Sequence, residues 1–373
     1  MRIGIDARMM GPEVRGIGRY VNKLLEHLAA IDKEHEYVVF TRQVAASLVP
    51  ASMRTVICEV PWYSLREQRE LPAIFDGARL DLMHVPHWNA PLKLKTPLVI
   101  TIHDMILWEH PSLRATKLSP LVYAAKYLFY RHLVSTNARH ARKILTVSNS
   151  AANAILRTLD VPAEKIAITP LGIDPLPESH NPSLPPLSLR GGEYLLSVSS
   201  GYPHKNLATF FIAADELMND DQSLHTVVCG IDPAFLPRIQ KEAEGIMLGN
   251  MPRTHLMGVV SDAELGALYR DAHAFIFPSL AEGFGLPPLE AASVGVPVIA
   301  SDIDTVRETL GDAALLVPPT DVQAYLAAYR RLMADTALKN ANIEAGKSRA
   351  HEYSWDKTAR LTLAAYRDAF STR

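Results

Sequence analysis

The chain has 373 residues, 48% of them hydrophobic and 21% charged, more than one ordinary core holds, so two domains are expected. A formal net charge of −2 argues against a general nucleic-acid binder. Cys58 and Cys229 stand far apart without neighbouring ligand residues, which argues against a disulfide framework or a zinc site.

Short apolar runs alternate with helical stretches along the chain, the pattern of an α/β fold with parallel sheets. The first run, Arg2-Ile-Gly-Ile-Asp6, leads to Gly16-Ile-Gly18-Arg-Tyr20, after which Ile17, Val21, Leu24, Leu25 and Leu28 keep helical spacing. A strand, a glycine turn and an amphipathic helix form a phosphate-loop pattern, although a structural turn explains it equally well. The buried-type strand Leu98-Val-Ile-Thr-Ile then delivers His103 and Asp104 to its carboxyl end, which faces the ligand crevice in open α/β sheets. Asp104 in that position also suits a cap for the next segment.

Between Arg114 and Lys143, the basic residues Arg114, Lys117, Lys126, Arg131, Arg139, Arg142 and Lys143 are interleaved with Tyr123, Tyr127, Phe129 and Tyr130. Such a stretch either packs its aromatic residues inward or lies on an anionic membrane surface. Pro170-Leu-Gly-Ile-Asp174 closes the first half, residues 1–174, and the proline-rich stretch 175–192 reads as an interdomain linker before a second domain over 193–355.

The second domain opens with the strand Tyr194–Val198, followed by Ser200, His204, Lys205 and Asn206. A lysine at the mouth of a cleft is a point charge suited to phosphate. Further strands are expected at Thr226–Cys229, His255–Met257, Ala274–Phe277, Pro297–Ala300 and Ala314–Val317, and Ser261 with Glu264 forms a capping box. After Ala274–Phe277 comes Ser279-Leu-Ala-Glu282-Gly-Phe-Gly-Leu-Pro-Pro-Leu-Glu290. Gly283 and Gly285 accept backbone angles closed to other residues, and Pro287 and Pro288 suit a first helical turn, whose unpaired N–H groups and dipole favour a phosphate or sugar oxygen. Glu282 in the loop and Glu290 on the helix would then accept hydrogen bonds from two polyol groups of one ligand. Asp302 and Asp304 carry a DxD spacing, but after a strand they read as loop caps rather than metal ligands. A last helix is expected over Asp356–Phe370.

The segment Ser279–Asp302 resembles the E-x7-E signature of retaining glycosyltransferase family 4, and matching motifs extend over most of the chain. The resemblance implies the GT-B fold, two Rossmann-like doubly wound domains facing across a cleft, with the terminal helix (356–373) packed back on the first. It implies a catalytic set of Glu282, His103 and Lys205. Donor binding would fall to Gly16, Lys205, Val260, Glu282, Gly283, Phe284, Gly285, Leu286 and Glu290, with Gly18 and Asp104 toward the acceptor or cleft. In this pattern Lys205 binds the donor pyrophosphate, Glu290 the ribose, and the backbone near Val260 lies beside the base. Many relatives carry an arginine where this chain has Ser200, so the Arg-plus-Lys phosphate clamp is not intact, and His204 or another basic residue would have to compensate. No metal or other cofactor is implied. The expected activity is hexose transfer from a nucleoside diphosphate sugar, with GDP-mannose or a related GDP-sugar ranked before a UDP-hexose. The acceptor would be a glycan or polyprenyl-linked glycan in bacterial surface polysaccharide synthesis. A cytoplasmic protein, peripheral at the inner face of the plasma membrane through residues 114–143, is expected. The alternatives are a sugar-nucleotide epimerase on the same fold and a catalytically weak GT-B binding subunit.

Overall fold

The computed structural model describes residues 1–11, 15–112, 114, 116, 119–177 and 194–371. The chain divides into two compact units, one of Met1–Pro111, Leu118–Gly172 and Ser354–Arg373, the other of Ser112–Lys117 and Ile173–Tyr353.

In the first unit, β1 (Arg2–Asp6), β2 (Glu36–Thr41), β3 (Arg54–Ile57), β4 (Leu82–Val85), β5 (Leu98–Thr101), β6 (Lys143–Thr146) and β7 (Ile166–Ile168) form one sheet in the order β3-β2-β1-β4-β5-β6-β7. All of its pairings are parallel, and the order reverses direction between β1 and β4. Continuous apolar runs such as Leu98-Val-Ile are buried, as expected where helices cover both faces of a parallel sheet. Helices α1 (Arg15–Ile31), α2 (Leu65–Gly77), α3 (Ile106–Glu109), α4 (Pro120–His140) and α5 (Asn149–Thr158) connect these strands. Ser64 and Ser148 cap α2 and α5 by accepting the N–H groups of Glu67 and Ala151.

The C-terminal helix, Trp355–Ser371, belongs to this first unit and packs against α1. Its Tyr366 hydroxyl lies 2.6 Å from His84 Nδ1, and Ala369 O accepts from Arg142 at 3.1 Å. The chain enters this helix hard against Gly172, where a Cβ would fall 2.1 Å from the Trp355 nitrogen. Only a residue without a side chain fits there.

The second unit repeats the plan with β8 (Tyr194–Val198), β9 (His225–Cys229), β10 (Thr254–Leu256), β11 (Ala274–Phe277), β12 (Val298–Ser301) and β13 (Leu315–Val317), in the order β10-β9-β8-β11-β12-β13. These pairings are again parallel, with the reversal between β8 and β11. The helices are α6 (Leu207–Asp220), α7 (Leu236–Ile246), α8 (Asp262–Arg270), α9 (Leu286–Ser293), α10 (Asp304–Leu310), α11 (Val322–Ala334) and α12 (Thr336–Ala350). The expected box at the start of α8 is complete, with Ser261 Oγ accepting the Glu264 N–H and Glu264 Oε2 accepting the Ser261 N–H. The chain is therefore α/β with two doubly wound parallel sheets. Of the 175–192 linker, only residues 175–177 lie within the described residues. Among the described residues no helix is long and apolar enough to cross a membrane.

Candidate functional site

In the second unit the loops after β8 and β11 leave the carboxyl ends of the two strands that flank the reversal, where open α/β sheets bind ligands. Backbone bonds tie the loops together, with Leu280 N donating to His204 O at 2.7 Å. Asn206 adopts a left-handed conformation (φ 53°) and donates from Nδ2 to Pro278 O and Pro319 O at 3.0 and 2.8 Å. That turn aims Lys205 at the β11 loop. Its ammonium reaches both carboxylate oxygens of Glu282, at 2.6 and 2.8 Å, with the two side chains 17% and 9% exposed. The Thr305 hydroxyl, near the start of α10, donates to Glu282 O at 2.8 Å and fixes the backbone beneath the pair.

Gly285 carries φ 92° at the N-cap of α9, so the glycine is required by the turn itself. Pro287 and Pro288 remove two of the early N–H groups, leaving Gly285 and Leu286 as the leading backbone donors at this helix start. Gly283 precedes them in the loop. The Phe284 ring is buried and packs edge-on to Tyr353 at 5.4 Å, so its side chain belongs to the core. Glu290 lies in the second turn of α9 and is 4% exposed, with the Tyr269 hydroxyl 3.3 Å from its Oε2. It is a held, buried carboxylate rather than a solvated helix-end charge. Val260 follows β10, partly buried, in the short link before α8.

Ser200 O accepts the Asp232 N–H at 3.1 Å, and the next carbonyl, Gly201 O, accepts from Arg238 of α7. His204 stacks on Tyr202 at 5.7 Å. The reading of Asp302 and Asp304 as loop caps is corrected: α10 has no side-chain cap, and both carboxylates pair with Arg307, at 2.6 and 3.2 Å.

In the first unit the glycine-turn reading changes in detail. Gly16 and Gly18 sit inside the first turn of α1 rather than ahead of it, and neither has a positive φ. His103 and Asp104 do follow β5 at its carboxyl end. Asp104 Oδ1 accepts the Ile106 N–H at 2.9 Å, which makes it a turn-former for α3. His103 Nε2 lies 3.1 Å from Pro86 O and its ring meets Tyr20 edge-on at 4.8 Å. A carbonyl only accepts, so Nε2 carries the proton and Nδ1 keeps its lone pair in the neutral ring. Burial pushes His103 down to about 4, so the ring is uncharged at neutral pH.

The basic and aromatic segment splits between the two readings open to it. Tyr130 is buried, Arg131 lies over the Trp108 ring at 4.3 Å, Lys143 pairs with Asp368, and Arg114 sits 3.7 Å from Glu242. These basic groups are engaged within the protein. Leu121, Val122, Leu128 and Phe129 of α4 are instead 86, 46, 67 and 44% exposed, beside exposed Lys126. Lys117 lies outside the described residues.

Sequence reasoning missed several residues around these sites. Thr305 and Tyr269, which hold Glu282 and Glu290, carry no local motif. His84 and His87 on and after β4 had one usable signal, an apolar run ending in Pro86-His87-Trp88. A buried cluster also went unseen: Arg8, fully buried, bonds Asp6 Oδ2 at 2.6 Å and Glu67 Oε1 at 2.8 Å.

Known proteins bear on these two loops and this pair of sheets. Residues 14–175 match the model for Glycosyltransferase Family 4, and residues 186–349 that for Glycosyl transferases group 1. The chain is 26% identical over 380 residues to O-antigen chain mannosyltransferase B of Escherichia coli, covering 94% of this chain and 96% of that protein. It is 30% identical over 271 residues to the O-antigen chain mannosyltransferase RfbU of Salmonella typhimurium, covering 73% and 70% of the two. Among solved structures, a sucrose-phosphate synthase from Thermosynechococcus elongatus superposes with a TM-score of 0.79 at 20% identity over the whole of both chains, a likeness of fold. With a relative this similar over most of its length, and the GT-B architecture in both sheets, the chain belongs to glycosyltransferase family 4.

Proposed function

We propose that this glycosyltransferase moves a hexose, mannose before rhamnose, from a GDP-sugar to a glycan or lipid-linked acceptor in bacterial surface polysaccharide synthesis, with the anomeric configuration retained. The observation that carries the reading is the Lys205–Glu282 pair, a cation and a carboxylate held together where the reversal of the second sheet opens. The names of the relatives, O-antigen mannosyltransferases, support the sugar and the product class.

In this reading the ammonium of Lys205 meets the donor diphosphate while keeping Glu282, since it has three N–H donors. Gly285 and Leu286 add backbone N–H groups, with Gly283 and Phe284 contributing main chain only. Gly16 contacts the diphosphate from the first turn of α1, Glu290 receives the ribose hydroxyls and Val260 lines the base. Glu282 accepts donor-sugar hydroxyls, and His103 accepts a further one at Nδ1. The bond from the anomeric carbon to the phosphate oxygen breaks, a bond to the acceptor oxygen forms on the same face, and the acceptor proton passes to the departing phosphate. Lys205 stabilises the charge that develops there, an effect of greatest worth in a water-poor site. Glu282 already accepts from Lys205 through both oxygens, which favours a positioning role over that of a covalent nucleophile.

The exposed apolar residues of α4 with Lys126 offer a surface for an anionic membrane, placing the enzyme at the cytoplasmic face where lipid-linked acceptors lie. Binding to anionic vesicles that persists after Leu121, Leu128 and Phe129 are changed to Ser would remove this contact.

The direct test is calorimetry of the full chain with GDP-mannose, GDP-rhamnose, UDP-glucose and the free nucleotides, without metal and then with magnesium. Binding of the guanosine series alone, independent of magnesium, is expected. Binding of uridine nucleotides only would overturn the donor assignment, and an absolute requirement for magnesium would overturn the metal-free mechanism.

A further inference from the structure

At the carboxyl end of β4 several rings gather on the first unit. Tyr63 lies nearly parallel over Trp88, with centroids 5.0 Å apart and planes 16° from coplanar. His87 meets Tyr63 at 5.9 Å and Trp88 at 4.8 Å, and Trp88 stands edge-on to Tyr130 at 4.7 Å. Tyr63 is 50% exposed, so its ring contributes little to the core.

The backbone under that ring is held at some cost. Tyr63 has φ 56°, a left-handed conformation that costs a residue with a side chain roughly 1–2 kcal/mol. Its N–H donates to Glu67 Oε2 at 2.9 Å, and Glu67, 1% exposed, is gripped in turn by Arg8 Nη2 at 2.8 Å and Asn89 Nδ2 at 2.6 Å. A buried ion cluster is a poor source of net stability. Here it holds in place Tyr63, the one aromatic residue with a positive φ among the described residues. Strain kept at a surface ring points to function rather than packing. Next to the shelf, His87 Nδ1 and Asn89 Oδ1 are closed off from solvent and have no hydrogen-bond partner among the described residues. Native structures retain such groups where a hydroxyl or an ordered water supplies the missing bond.

We propose that the outer face of Tyr63, backed by Trp88 and bordered by His87, is the subsite for a pyranose unit of the acceptor glycan. The assignment rests on the transferase reading above. A pyranose presents one face of C–H bonds to an aromatic ring and turns its hydroxyls to polar neighbours, which is the mixture of surfaces found here. The shelf also adjoins the group proposed to touch the transferred sugar, since the His87 and His103 rings are 6.3 Å apart. His87 is thus the ring that neighbours both Tyr63 and that group.

The test uses saturation-transfer NMR on the full chain with the methyl α-glycosides of mannose, rhamnose, glucose, galactose and N-acetylglucosamine, with and without the donor nucleotide. At least one glycoside is expected to receive magnetisation through its ring C–H protons. Tyr63→Asn removes the ring yet suits the left-handed backbone. It is expected to weaken glycoside binding roughly threefold to tenfold, the scale of one aromatic contact, while Tyr63→Phe keeps it. Nucleotide binding, measured by calorimetry on the same samples, is expected to be unchanged in both variants. Glycoside contact unaltered by Tyr63→Asn, or absent from the wild type while nucleotide binds, overturns the subsite alone. Failure of every nucleotide to bind overturns the transferase reading and the subsite with it.

Discussion

Acidification should weaken the first unit through His84, and the size of the effect follows from its surroundings. The imidazole is fully buried between Tyr366 of the C-terminal helix and Thr101 of β5, at 2.6 and 2.8 Å. Burial, with a smaller contribution from His103, pushes it down to about 3 from an ordinary 6.5. A histidine whose folded value is depressed contributes stability that is fully present above its unfolded value and is lost as the pH falls toward its folded one. Between pH 7 and pH 5 the unfolded chain takes up the proton and the folded chain does not, which for this shift removes about 2 kcal/mol. Other groups titrate in the same range. His87 and His103 are also depressed by burial and act in the same sense, while burial raises Glu67 to about 7, so that it gains a proton in the folded state and acts in the opposite sense. The comparison of wild type with His84→Gln cancels these. All four tryptophans, Trp62, Trp88, Trp108 and Trp355, lie in the first unit, so their fluorescence follows its unfolding and not that of the second. The wild type is expected to lose about 2 kcal/mol more than His84→Gln over this pH range, or roughly 4–8 °C in the fluorescence Tm. Equal pH dependence in the two proteins would refute the reasoning.

Lys205→Met should reduce transfer by about 10²-fold or more, the usual effect of removing one preorganised charged contact. It should also lower stability by about 1–3 kcal/mol, because Glu282 is left shielded without its partner; turnover near the wild-type rate would dismiss the assignment. Gly285→Ala forces a side chain onto φ 92° and should raise the donor KM, with a stability loss of about 1–2 kcal/mol measured by urea unfolding. Gly172→Ala places a Cβ against the Trp355 backbone and should destabilise the first unit by about 1–3 kcal/mol, seen as an earlier tryptophan transition.

Where apolar period and turn chemistry act locally, the sequence was enough. Ala274–Phe277 is β11 to the residue, the Ser261–Glu264 box caps α8, and the last helix begins at Trp355, one residue before its expected start. The E-x7-E segment likewise placed Glu282 on a loop and Glu290 on the following helix. What escaped the sequence depends on partners far away in it. Lys205 and Glu282 are separated by 77 positions, and no spacing rule links them. Phe284 enters the donor set only through the family resemblance, and the contact of its ring with Tyr353 is set by packing that no local pattern shows. The basic and aromatic stretch stayed open between two readings because a linear sequence hides the aromatic ring, carbonyl and carboxylate that occupy Arg131, Arg142 and Lys143.

The electrostatics of the two units bears on what each offers a charged ligand. Around the reversal of the first sheet, His84, His87 and His103 are all held in their neutral form by burial, and the Arg8 guanidinium is taken up by Asp6 and Glu67. None of these groups carries spare positive charge for a diphosphate at neutral pH. They offer hydrogen bonds, and the His103 tautomer leaves Nδ1 as an acceptor, which suits a sugar hydroxyl and repels a phosphate oxygen. In the second unit, by contrast, an ammonium stands at the loop after β8 with its carboxylate partner beside it. Of the two roles open to His103, sugar or phosphate contact, the neutral ring favours the sugar. Replacing His103 by Gln, which also presents an acceptor, should then preserve more activity than replacing it by Lys, which adds charge but no acceptor. The reverse order in kcat would assign the residue to the phosphate instead.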